Sequence, residues 1–143
     1  MDITIIIPAF NEENSLPHLK RNLKNFEKIT LIDNYSTDNT YELARSYGWT
    51  VYKFKNKGFS EDPDLVNFYL SKAESEWIYI CRADEIPSEN LIKVLNSKKN
   101  LSFDALRLSR INFLNGKRCH TWGDDYEAPI FKKNFFIPTD NLL

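Results

Sequence analysis

Ile3-Thr4-Ile5-Ile6-Ile7-Pro8-Ala9-Phe10-Asn11-Glu12-Glu13 opens the chain and decides how the rest is read. Its first five residues are β-branched, as expected of a strand buried on both faces, and the run breaks abruptly into a polar cluster. The same change recurs downstream. Ile29-Thr30-Leu31-Ile32 leads into Asp33-Asn34-Tyr35-Ser36-Thr37-Asp38-Asn39-Thr40, and Trp77-Ile78-Tyr79-Ile80-Cys81 leads into Arg82-Ala83-Asp84-Glu85. Trp49 to Phe54 is a further expected strand.

Helical spacing fills the intervals. Leu16, Leu19, Leu23 and Phe26 recur at three and four residues, with Pro17 tolerable in a first turn. Ser36 or Thr37 is placed to cap a helix running to Tyr47, and Gly48 to stop it. Asp62-Pro63 reads as a cap and first helical position, opening a helix to about Lys72, and Pro87-Ser88 opens one carrying Leu91, Ile92 and Leu95. After Asn100 the pattern alternates from Phe103 to Phe113, and Pro129 to Phe136 is a last strand-like piece. Repeated βα units followed by β-rich sequence predict an α/β fold with a mostly parallel sheet and helices on both faces. Ligands of such sheets sit outside the carboxyl ends of the strands, where the three polar clusters fall.

Composition narrows the class. The chain has 143 residues, 42% hydrophobic and 14% aromatic, which suits a single domain over residues 1–143 with a real core. Lys and Arg total 19 against 20 Asp and Glu, so no basic excess points to nucleic acid. No apolar run reaches the ~18–20 residues of a membrane span, and the N-terminus lacks the basic lead of a signal peptide. Cys81 and Cys119 make neither a disulfide framework nor a zinc site, and a reduced, cytoplasmic protein is expected.

Chemically, an aromatic ring, an Asp/Asn pair and an acidic pair on one sheet edge suit a stacked base and a metal-bound diphosphate, since oxygen ligands favour hard cations. The same residue types are ordinary turn formers and helix caps. Cys81 beside Arg82 invites a lowered thiol pKa, without an evident base to make it a nucleophile. His18, on a leucine-rich helix, reads as a surface residue, and Lys53, Lys55 and Lys57 as a solvated loop face.

Together, the first two clusters, Gly58-Phe59, Leu70-Ser71-Lys72-Ala73 before Trp77-Ile78, and Ala83-Asp84-Glu85 resemble a family 2 glycosyltransferase of the GT-A fold. The similarity is greatest to the branch that adds sugars to lipopolysaccharide cores. Phe113-Leu114-Asn115-Gly116-Lys117, His120, Trp122, Asp125-Tyr126-Glu127 and Ile130-Phe131-Lys132 resemble its final catalytic stretch more loosely. The resemblance implies inverting transfer of a sugar from a nucleoside-diphosphate donor, with uridine the commoner base, to a hydroxyl acceptor, whether glycan, lipid-linked or other. It assigns the donor to Pro8, Phe10, Asn11, Glu12, Asp33, Asn34, Arg82 and Ala83, in a nucleotide-sugar part of about residues 1–100. It implies a Mn2+ or Mg2+ ion at Asp84, with His120 a further metal or phosphate contact. Asp125, or its neighbour Asp124, would be the base, in an acceptor part of about residues 101–143.

Four departures stand out. Arg82 occupies the first Asp position of the metal-binding Asp-x-Asp motif, Val66 replaces an Arg before Asn67, and Tyr35 replaces a Gly. The chain also ends soon after the expected base, so a partner or second copy could complete the acceptor site. Arg82 is suited to carry the diphosphate charge itself, because a guanidinium binds phosphate bidentately. A non-catalytic nucleotide-sugar or glycan-binding module is the competing reading. A nucleotidyltransferase is a weaker one, because no Gly-rich phosphate loop is present among only four glycines.

Overall fold

In the computed structural model the described residues are 1–56, 63–97, 102–119 and 125–135, with backbone only at 125 and 126. The strands are β1 (Ile3–Ala9), β2 (Ile29–Asp33), β3 (Thr50–Lys53), β4 (Trp77–Ile80), β5 (Ala105–Arg110), β6 (Phe113–Leu114), β7 (Lys117–Arg118) and β8 (Asp125–Lys132). The helices are α1 (Leu16–Asn22), α2 (Thr40–Ser46), α3 (Pro63–Lys72) and α4 (Glu89–Asn96), and a 3-10 turn (Lys133–Phe135) follows β8. The main sheet has six strands in the order β3-β2-β1-β4-β8-β5. β1, β2, β3 and β4 are parallel, while β8 runs antiparallel to both β4 and β5. The expected α/β architecture is therefore present, with an antiparallel margin.

β1 is central, and its β-branched run is buried on both sides for that reason. Ile3, Ile5 and Ile7 pack with Leu16, Leu19, Ala44 and Leu95, from α1, α2 and α4. Ile6 points the other way, with Ile32, onto Leu65 and Tyr69 of α3 and Phe131 of β8. Helices thus cover both faces. No helix among the described residues is long and apolar enough to cross a membrane.

The expected boundaries shift where side chains have other partners. The apolar period of α1 outlasts its helix: Leu23 is its C-cap and Phe26 packs on the core from the following turn. Helix α2 begins at Thr40, because Ser36 and Thr37 bond to the first loop instead of capping. Gly48 does end that helix in the left-handed region, with φ 79°. Ser88 caps α4, its hydroxyl accepting from the Leu91 N–H at 3.3 Å. Pro63 opens α3 as expected, whereas Asp62 lies outside the described residues. The last strand starts four residues earlier than expected, at Asp125, because pairing with β5 extends it.

Candidate active site

The three polar clusters do meet. Backbone bonds continue past the strand ends and hold the loops in register. Asn34 N–H donates to Ala9 O at 2.9 Å, Cys81 N–H to Ile6 O at 2.9 Å, and Ala83 N–H to Pro8 O at 3.2 Å. Side chains then clasp the first two loops. Asn11, at φ 55°, accepts from Thr37 N–H at 2.8 Å while its own N–H donates to Ser36 Oγ at 2.9 Å. Asp38 accepts from Thr40 N–H at 2.9 Å and Glu13 N–H at 3.1 Å, and Glu13 accepts from Asn39 N–H at 3.0 Å.

Between these loops opens a cleft of about 460 Å³. Pro8, Ala9, Phe10, Glu12, Ile32, Asn34, Arg82, Ala83 and Asp84 line it, joined by Phe54, Asn56, Leu65 and Tyr69. Most of the donor residues expected from sequence therefore share one wall. Phe10 is 54% exposed, a free apolar ring at the mouth. Asn34 is tied down, its Oδ1 accepting from Asn56 N–H at 2.9 Å.

Two expected donor residues lie outside the lining. Asn11 is spent on the loop clasp. Asp33 is fully buried: Oδ1 accepts from Ser36 N–H at 3.1 Å, and Oδ2 has no hydrogen-bond partner among the described residues. An unpaired buried carboxylate oxygen is costly, and Asp33 bears that cost behind the cleft wall.

At the far side of the cleft Arg82 enters an ion-pair network. Its Nη1 lies 2.5 Å from Glu127 Oε2 and 3.5 Å from Glu85 Oε1. Arg110 Nη1 lies 3.1 Å from the same Glu85 oxygen and 3.4 Å from Glu127 Oε1. Sequence reasoning missed Arg110 as part of this set; its partner Glu127 is remote in the chain, and no local pattern joins them.

Cys81 corrects an expectation. It is buried, and burial pushes its thiol up to about 12 rather than down beside Arg82. His18 is exposed, with its Nδ1 3.0 Å from Arg21. Asp125 pairs through its backbone with Arg110, which places this position at the start of β8, at the sheet edge where β4 and β5 end. His120, Trp122, Asp124 and Gly58-Phe59 lie outside the described residues.

The profile described as Glycosyl transferase family 2 matches residues 4–128, more than four fifths of the chain. The chain belongs to glycosyltransferase family 2. Glycosyltransferase GlyG of Streptococcus pneumoniae serotype 4 is 31% identical over 103 residues, 65% of this chain and 33% of that protein. A mannosyltransferase from Pyrobaculum calidifontis, solved with GDP-Man and Mn2+, superposes with a TM-score of 0.58 at 20% identity, covering 73% of this chain and 34% of that one. Staphylococcus aureus TarS, solved with UDP, gives 0.51 at 23% identity over 66% of this chain and 31% of that one. The fold is thus the GT-A arrangement of this family, and the chain spans about a third of the length of these relatives.

No cluster of three or more His, Cys, Asp or Glu that could hold a metal ion occurs among the described residues. Asp84 lies two residues from a guanidinium, and Glu85 and Glu127 each face two guanidiniums. This described donor set does not fit a divalent cation, which needs several uncommitted oxygens.

Proposed function

We propose that this chain binds a nucleoside-diphosphate sugar in the cleft and acts in an inverting glycosyltransferase that passes the sugar to a hydroxyl acceptor. The observation that carries the reading is the placing of Phe10, Arg82 and Asp84 around one cleft at the carboxyl edge of the parallel strands. Phe10 stacks on the base, and Asn34, which shares the lining with it, hydrogen-bonds the base edge. UDP and GDP-Man are found with the relatives above, so UDP and GDP are the candidate nucleotides, and a uridine donor remains the preferred one.

In the transfer step the acceptor oxygen forms a bond to the anomeric carbon. The bond from that carbon to the diphosphate breaks, and its electron pair leaves with the nucleotide. The acceptor proton passes to the carboxylate of Asp125. Asp124 is the neighbouring candidate for that base. A glycan or lipid-linked hydroxyl is the proposed acceptor class.

Incubation with UDP- and GDP-sugars tests the reading. Release of nucleotide, even slowly and to water, supports it. The competing reading, a binding module without turnover, draws on the engagement of Arg82 by Glu85 and Glu127. Tight nucleotide binding without release of sugar from any donor would favour that module.

A further inference from the structure

Four charged side chains gather where the nucleotide cleft meets the antiparallel margin of the sheet. Arg82 and Glu85 follow β4, Glu127 lies near the start of β8, and Arg110 ends β5. They meet because β8 runs antiparallel between β4 and β5, which brings its beginning to the ends of both. Arg82 belongs to this quartet and to the cleft lining at once. Among the described lining residues it is the only cation, set with the carboxylates Glu12 and Asp84.

We propose that Arg82, with Arg110 and Glu127 as its positioning residues, holds the diphosphate of the bound nucleotide in place of a divalent ion. The proposal rests on the reading of the cleft as a nucleotide site. A guanidinium stays charged at every accessible pH and offers phosphate two parallel N–H bonds. The side chain of Arg82 is 39% exposed, so its ion pairs are partly screened by water and exchange readily for a more highly charged anion. Arg110 contacts both Glu85 and Glu127, so neither carboxylate is orphaned when Arg82 turns to the diphosphate. Glu127 keeps Arg82 beside the cleft until the anion arrives.

Calorimetric titration of the whole chain with UDP and GDP, in EDTA and then in MnCl2, tests this. The expected result is the same affinity in both buffers. Arg82→Gln should weaken UDP binding by about 10–100-fold, the worth of hydrogen bonds to a charged group. Uridine, which lacks the diphosphate, should bind the variant and the parent alike, which separates loss of a phosphate contact from damage to the fold. Arg110→Gln should weaken UDP less than Arg82→Gln does, again without affecting uridine. Binding lost in EDTA and restored by Mn2+ would overturn the proposal, as would Arg82→Gln binding UDP like the parent. If neither UDP nor GDP binds in either buffer, the nucleotide reading itself fails and takes the proposal with it, a result distinct from metal-dependent binding.

Discussion

Phe10 and Cys81 show how the same sheet edge exposes one side chain and silences another. The Phe10 ring stands open at the cleft mouth. Phe10→Ala should weaken nucleotide binding by about 1–3 kcal/mol, the worth of an aromatic platform under a base. Unchanged affinity in a UDP or GDP titration would move the base elsewhere. Cys81 sits at the end of β4 but faces the core, and its thiol pKa of about 12 leaves almost no thiolate at neutral pH. Iodoacetamide should therefore label Cys119, which is partly exposed, and spare Cys81 until the chain is unfolded. Mass spectrometry showing rapid native labelling of Cys81 would contradict that burial. At Asp125 the expected effect is on chemistry. Asp125→Asn should lower turnover by about 10²–10⁴-fold, the contribution of a general base, and leave nucleotide affinity unchanged. Lost nucleotide affinity would instead make Asp125 a donor-site residue, and unchanged turnover would move the base to Asp124 or Glu127.

Among the elements, the loops after β1 and β2 are bound to each other more than to the helices they precede. Asp38 joins them, accepting from Thr40, the first residue of α2, and from Glu13 on the other loop. Burial acts to raise its carboxyl pKa, but these hydrogen bonds outweigh it and hold the group below its ordinary 3.8. A depressed carboxyl contributes stability above its unfolded pKa, and that contribution is lost as pH falls through the folded one. Asp38→Ala should therefore cost about 1 kcal/mol at pH 7, the order of removing a side-chain oxygen that accepts from the first N–H groups of a helix. In urea titrations the deficit should shrink below pH 3.8. A deficit independent of pH would show that the carboxylate charge is not what joins the loops. The clasp also explains what sequence missed in α2. Ser36 and Thr37 have capping chemistry, and only the neighbouring loop reveals that it is used sideways. The β6–β7 hairpin, by contrast, carries its signal in the sequence: Asn115-Gly116, with φ of 50° and 75°, forms its turn.

Across the whole molecule, the parallel half was legible because its strands are buried on both faces and each ends in a polar cluster. The antiparallel half was not, because β8 inserts between β4 and β5 and brings Glu127 to Arg82 across 45 positions of sequence. That insertion makes the cleft a junction. One wall belongs to the ends of β1, β2 and β4, another to α3 through Leu65 and Tyr69, and Arg82 links the lining to β8 and β5. A ligand there touches elements from both hydrophobic clusters, so it should stabilise the fold as one unit. A ligand that binds only the folded state at about 100 times its Kd adds about 2.7 kcal/mol. For a chain of this size that corresponds to a rise of about 8 °C in Tm. UDP or GDP should give a shift of this order in thermal unfolding, and Phe10→Ala should remove part of it, since the aromatic platform under the base is lost. Equal shifts in parent and variant would move the base away from Phe10, and no shift with either nucleotide would mean that the cleft is not a nucleotide site.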